Sequence, residues 1–459
     1  MPIKPTVSQL DANSVGILNA IRDNASAEYY QAVPRAQETT ESIRNVGEQI
    51  LAFQPRMNEF VSALVNRIAR VVITSKMYSN PLAFSKKGML AYGETIEEIF
   101  VDIAKANSYD WNSTNETEQA FKRANPNIKT AFHAMNMQTY YKVTISEQNL
   151  RQAFLSMEGV TDLIARIVNS AYSAAAYDEY VMMKYTIAQS MLAGNVNMNT
   201  IAAVDDEASG KAAVKKVKSV TNKMQFMSKD YNIAGVNNFI QSPDDIFVVM
   251  TADYEAAIGV DVLAAAFNIE QVKFMGQRVL VDSFGFNDGE LARLDELLAN
   301  DPTYTRPSSG DLTALASVGI VVMSRDWLQV YDVLNQFAEQ YNAALLYWNE
   351  FNHVWHIYSA SPFAPIVGFT TTTPSITSVT VSAPSTAKAE DKVHAVAIVS
   401  ATDFANKGVR FSISPATSVT IDENTGLIAF GKSATGEYTV KATSVYDTSK
   451  SGTATITVS

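Results

Sequence analysis

Cysteine is missing from the whole chain of 459 residues. Disulfides, thiolate metal sites and cysteine nucleophiles are therefore excluded together. Histidine is scarce, with four residues, and no GxGxxG, P-loop, GxSxG or HExxH pattern occurs. No convergent polar constellation stands in for them, so we expect no enzymatic activity, cofactor or metal. No run approaches ~18 consecutive apolar residues, which argues against a membrane-spanning helix. The opening MPIKPTVSQLDANSVG lacks the charged-then-apolar pattern of a secretory signal. A net charge of −11 makes a general grip on nucleic acid improbable, because neutralising phosphates needs clustered Lys and Arg. It does not exclude lying beside nucleic acid without holding it. Hydrophobic residues at 47% and charged residues at 18% describe an ordinary globular chain, long enough for two or three domains.

What is present is organised around Gly159 to Gly194. Apolar residues at Val160, Leu163, Ile164, Ile167, Val168 and Ala171, continuing through Val181, Met182, Tyr185 and Met191, follow the spacing of one long amphipathic helix. Thr161 and Asp162 are placed to start it and Gly194 to stop it. At 1.5 Å per residue it would span about 50 Å, the length of a girder.

Ahead of it, residues 1–56 read as an arm whose few apolar side chains dock elsewhere, and Phe60, Val61, Leu64, Val65, Ile68 and Val72 make one helical face. Val71–Thr74 and the two glycines Gly88 and Gly93 suggest extended chain. Residues 95–104 alternate apolar and polar with a slip at Glu97-Glu98, as a bulged hairpin arm would. We read 85–145 as a long two-stranded excursion; because an isolated hairpin is only marginally stable, it is expected to lie on another surface. After the girder, residues 211–227 form a basic helix with Val214, Val217, Val220 and Met224 on one face, whose lysines read as a solvated surface. Ile246–Met250, Tyr254–Ala266 and Gln277–Val281 read as strand, helix and strand. Gly319–Met323 is a further strand, and Leu346, Trp348, Val354, Ile357 and Tyr358 close an α+β body. At 369–375 the composition shifts, and 376–459 alternates in short Ser/Thr/Val-rich strands, the pattern of a small β-sandwich. From residue 368 onward seven basic side chains balance seven acidic ones, so the whole negative charge belongs to the body.

Local motifs mostly resolve into structure. His353 and His356 fall in a strand-like stretch, where positions three apart face opposite ways, so two polar sheet positions explain them better than a metal. Asp422 to Gly426 misses the spacing of a calcium loop and reads as a hairpin turn with Gly426 at positive φ. Trp327, Trp348 and Trp355 read as core.

Six separated segments in order, NPLAFSKKG, GETIEEIFVDI, NPNIKTAFHAMNMQTYY, NSAYSAAAYDEYVMMK, VDVLAAAFNIE and NHVWHIYSASPFA, resemble the major capsid proteins of small tailed phages, the Bacillus podophages of the phi-29 type. The resemblance runs over about 57–367 and is weak before residue 57. It implies the Hong Kong 97 capsid fold: an N-terminal arm at 1–56, a core at 57–368 with an extended loop (the E-loop) near 85–145, the girder as spine helix, an axial domain near 240–320, and a peripheral sheet closing at 345–367. The segment 376–459 resembles bacterial Ig-like domains of group 2. The implied function is a structural subunit that closes with its copies, as pentamers and hexamers, into an icosahedral or prolate head around double-stranded DNA. Implied partners are a scaffolding protein during assembly, a portal protein at one vertex, DNA enclosed without sequence-specific binding, and a host surface for the Ig-like domain, with no membrane. The expected location is the virion, after synthesis in the host cytoplasm. On this reading Lys86, Lys87 and Arg123 are candidates to pair between subunits with carboxylates such as Glu94, Glu97 and Glu98. The shell of a cellular nanocompartment and a surface adhesin are the competing readings.

Overall fold

A computed structural model describes residues 14–71, 78–90, 95–104, 106, 126, 128–155, 159–261 and 277–459. The chain opens with helices α1 (Ser14–Asn24), α2 (Ala27–Ala32), α3 (Thr40–Leu51) and α4 (Gln54–Val71). Ser26 and Thr39 start α2 and α3 by accepting the amides of Tyr29 and Ser42. The arm's apolar side chains dock within their own chain. Ile17, Tyr29, Ile43, Val46, Ile50 and Phe60 form one buried cluster with Ile145, Leu150, Phe154 and Trp348. Val71, expected to be extended, is the last residue of α4.

Strands β1 (Lys86–Met89), β2 (Thr95–Val101), β3 (Ile128–Ala134) and β4 (Met137–Ser146) follow, then helices α5 (Glu147–Ala153) and α6 (Gly159–Leu192). The girder α6 has 34 residues, about 50 Å of helix. It begins at Gly159, the bound expected, two residues before the Thr161 cap that the residue types suggested. The stop falls where expected. Gly194 takes φ +74°, its amide reaches Met191 and the Asn195 amide reaches Ser190. This paired closure needs a left-handed residue, which glycine adopts without a Cβ penalty.

The remaining body elements are β5 (Asn197–Thr200), α7 (Glu207–Lys223), β6 (Ile246–Thr251), α8 (Ala252–Asp261), β7 (Gln277–Val281), α9 (Asp288–Leu297), α10 (Ser309–Ala316), β8 (Val318–Ser324), β9 (Leu328–Asn342), β10 (Tyr347–Ala360) and β11 (Ile366–Thr370). They make two sheets. One runs β1-β9-β10-β4 around a long antiparallel hairpin of β9 and β10, with a register shift at Trp355/His356. The other runs β5-β11-β8-β6-β7, mixing parallel and antiparallel pairs. Its central strands are buried on both faces. Val249, Val321 and Met323 meet Met183, Ile187 and Met191 of α6, while Val248, Ile320 and Val322 meet Val217 of α7. Burial on two sides is why these strands read as unbroken apolar runs. Leu346 sits in the β9–β10 turn at φ +55° and so does not share the strand's alternation. Of the helix expected over Tyr254–Ala266, residues 262–266 lie outside the described residues.

Both ends of the expected excursion belong to the body sheet. β1 and β4 are body strands, and among the described residues the two-stranded ribbon is β2 with β3. The expected slip is absent: pairing is continuous from Thr95↔Ala134 to Val101↔Ile128. Glu98 simply occupies the inward face with Ile96 and Phe100.

Residues 375–458 form an all-β unit of strands β12 (Ser375–Ser382), β13 (Thr386–Ala387), β14 (Lys392–His394), β15 (Val396–Thr402), β16 (Val409–Ser414), β17 (Val419–Ile421), β18 (Leu427–Phe430), β19 (Gly436–Ser444) and β20 (Ser451–Val458). They enclose one core of Phe411, Ile428, Phe430, Tyr438, Val440 and Ile456. The β17–β18 turn is as expected: Asp422 Oδ1 accepts the amides of Asn424 and Thr425, and Gly426 has φ +71°.

Candidate assembly surface and its anchoring

The ribbon has two unlike faces. Its inner face is tied to the body by polar contacts. Ser361 Oγ donates to Glu98 Oε1 at 2.7 Å, and His133 bridges Glu98 Oε2 at 3.1 Å and Ser359 Oγ at 2.7 Å. Lys129 Nζ donates to the Ala234 carbonyl at 2.7 Å, and the Phe100 and Phe363 rings stack with centroids 5.6 Å apart. The outer face carries Ile99, Val101, Ile128 and Phe132, with Ile99 58% and Phe132 65% exposed. An exposed apolar face of this kind marks a candidate contact surface.

The root of the ribbon is pinned by a polar cluster. Lys86 Nζ lies 2.7 Å from Glu179 Oε2 and 3.0 Å from Asp332 Oδ1. Asn80 donates to the other oxygen of Glu179 at 2.7 Å, and His356 Nδ1 lies 2.9 Å from Asp332 Oδ1. Burial alone would lower the Lys86 pKa and raise that of Asp332. The facing charges outweigh it, holding Lys86 above and Asp332 below their ordinary values. Glu179, Asp332 and His356 are donor types for a divalent cation, and their ligand atoms lie within 4.8 Å of one another. The Lys86 ammonium already stands between the two carboxylates as their counter-charge. His353 takes the opposite face, near the rings of Tyr140 and Phe351.

Within the chain, the residues expected to pair between subunits are placed as follows. Lys86 binds Glu179 and Asp332, Lys87 pairs with Asp326, and Glu98 faces His133 and Ser361, all within one chain. Glu97 remains exposed on the outer face beside Phe132; Glu94 and Arg123 lie outside the described residues. Sequence reasoning missed Asn80, Glu179 and Asp332 and took His356 only as a polar sheet position; the four are far apart in the chain. The available hint was Asp178-Glu179 and Lys184 interrupting an otherwise apolar stretch of the girder.

Lys184 is the second anchor. It is 1% exposed, 2.7 Å from Glu290 and 3.2 Å from Asp282, and Tyr180 also donates to Asp282. Nearby, Arg293 of α9 pairs with Asp178 of α6, and Tyr141 donates to that carboxylate. The girder is thus bound to α9 by ion pairs and to β4 by a hydrogen bond, as well as by packing. On α7 two of the lysines have partners within the chain, Lys211 in Glu207 and Lys216 in the Thr200 carbonyl. Gly210, Ala213, Val217 and Thr221 are its buried residues, a face rotated slightly from the one expected.

One buried acid has no such partner. Glu350 is 2% exposed, stands opposite Glu339 in the β9–β10 ladder, and neither carboxyl oxygen has a hydrogen-bond partner among the described residues. Burial, with the Glu339 charge, pushes its pKa from 4.5 up to about 8. Across that window the folded chain keeps a proton that the unfolded chain releases. Stability therefore falls as pH rises through it, by at most about 1.4 kcal/mol per unit, and levels off above it. Replacing Glu350→Gln is expected to flatten this slope in urea-unfolding curves recorded across the window; an unchanged slope would show that another group carries it.

A mixed α+β body braced by one long helix, with a ribbon that leaves an apolar face uncovered, is built as the subunit of an assembly. Residues 18–370 match the family model described as Phi29-like phage major capsid protein. The chain is 35% identical over 442 residues to the major capsid protein of Bacillus phage B103 and 32% identical over 440 residues to that of Bacillus phage PZA; each match covers 94% of this chain and 90% of the relative. A capsid structure of Staphylococcus phage Andhra overlaps it with a TM-score of 0.49 at 14% identity, covering 66% of this chain and 86% of that one. The chain belongs to the Phi29-like phage major capsid protein family. It is a structural protein whose place is the capsid of the virion. Among the described residues no helix is long and apolar enough to cross a membrane.

Proposed function

We propose that this chain closes with its own copies into an icosahedral or prolate head around double-stranded DNA, using the Hong Kong 97 arrangement. In that arrangement α6 is the spine, the β2–β3 ribbon belongs to the extended loop that lies over a neighbour, and residues near 240–320 form the axial domain around pentamer and hexamer centres. The observation that carries the reading is the uncovered apolar face of Ile99, Val101, Ile128 and Phe132, because a neighbouring copy would remove it from water. Glu97, exposed beside Phe132, is the described carboxylate best placed to meet a neighbour's cation. The body's negative charge suits a container that encloses DNA without adhering to it. Assembly would proceed on a scaffolding protein with a portal at one vertex.

The C-terminal unit is consistent with a bacterial Ig-like domain: a small all-β fold with its own core, neutral in net charge. Its exterior placement and contact with a host surface belong to the same proposal.

The test is electron microscopy of the expressed chain with and without a scaffolding protein, followed by assay of purified particles for nucleic acid. Closed shells of uniform curvature are expected. A chain that stays monomeric at high concentration with scaffold present would overturn the reading.

A further inference from the structure

We infer that the turn at 403–406 locks the C-terminal β unit onto the end of the spine helix, making it a fixed part of the subunit and not a module on a tether. The inference does not depend on the shell reading. Phe404, 1% exposed, is buried in the body's main core together with Met191 and Val196. Its neighbour Ala405 is buried in the core of the β unit itself. Consecutive residues thus serve two cores, and Asp403 at φ +52° makes the turn that directs them apart. The receiving surface is shaped for this approach. A Cβ added at Gly194 would lie 2.7 Å from Asn406 Cα and 2.9 Å from the Ala405 carbonyl oxygen. Gly194 therefore closes the helix and also leaves room for the turn.

The covalent connection is the other point of attachment. Thr370 Oγ1 lies 2.7 Å from Ser317 Oγ, the Thr371 amide reaches the Ser317 carbonyl, and Thr200 Oγ1 donates to the Thr372 carbonyl. On the far side Tyr446 donates to the Pro374 carbonyl at 3.2 Å. A single joint would leave the unit free to swing. A second contact through Phe404, about thirty residues along the chain, removes that freedom.

The experiment compares the full chain with its Phe404→Ser variant by calorimetry and by limited proteolysis mapped to residues 371–374. The unmodified chain is expected to resist cleavage there and to melt the β unit together with the body. The variant is expected to be cleaved at least about tenfold faster and to melt in two separate steps, since Phe404 contributes nothing to the core of the β unit. Cleavage and melting within twofold of the unmodified chain would overturn the inference. So would two independent transitions in the unmodified chain, a result that stands even if the variant does not fold.

Discussion

Phe132→Asp is expected to abolish assembly while leaving the subunit folded. Phe132 is 65% exposed and pairs across the ribbon with Glu97, on the face that also bears Ile99, Val101 and Ile128. A solvated aspartate there touches no core, so subunit stability should move by no more than about 0.5 kcal/mol. In a closed shell the same carboxylate would be buried against a neighbour's apolar surface beside another acid. An unpaired buried charge costs several kcal/mol at every copy of the contact, and a shell repeats that contact throughout. Sedimentation velocity reads assembly, and far-UV melting of the isolated subunit reads folding. Shells forming at wild-type concentration would mean that this face is not an interface, and the shell proposal would lose its principal support.

The largest effect on the subunit itself is expected from Lys184→Met. The ammonium lies in the body between Glu290 and Asp282, near the rings of Tyr180 and Phe286. Glu290 is itself buried and accepts the Asn287 amide in the capping box that starts α9. Methionine fills the space of the lysine stem but strands the Glu290 carboxylate, and breaking a buried pair from one side costs about 3–5 kcal/mol. Adding Glu290→Gln should restore part of that loss, because the amide oxygen can still cap α9 while the stranded charge is gone. Urea-unfolding midpoints of the two variants decide it. A single-variant loss below about 1 kcal/mol would show that the pair does not brace the girder.

How much of this was legible in the sequence follows from which interactions are local. The girder's stop and the strands β6 and β8 could be read closely because helical spacing, Gly194 and two-sided burial leave marks on consecutive residues. The Glu97-Glu98 slip was misread for the same reason. Alternation shows that a residue faces inward, but the partner that makes a carboxylate acceptable there is His133 with Ser361, and neither is near it in the chain. The root cluster gave no spacing signal, because Asn80, Lys86, Glu179, Asp332 and His356 meet only when β1, α6, β9 and β10 come together. The N-terminal helices were underrated because their core includes Trp348 and Phe154, far along the chain. At 369–375 the shift in composition marks a boundary, while the closure through Phe404 lies outside that segment and is a single residue without a pattern.

The β9–β10 hairpin joins two hydrophobic cores, as α6 also does through Tyr172 and Met183. Trp348 lies in the core of the N-terminal helices, and Val330 and Tyr358 in the one beneath α6. The interstrand hydrogen bonds lie across the strand direction. Each strand reaches both cores, β9 through Val330 and Tyr341 and β10 through Tyr358 and Trp348, so tension between the cores runs along two covalent backbones that these bonds hold in register. Under outward pressure from a filled container, such a subunit would resist stretching along this axis, and yielding would begin at the joints between copies.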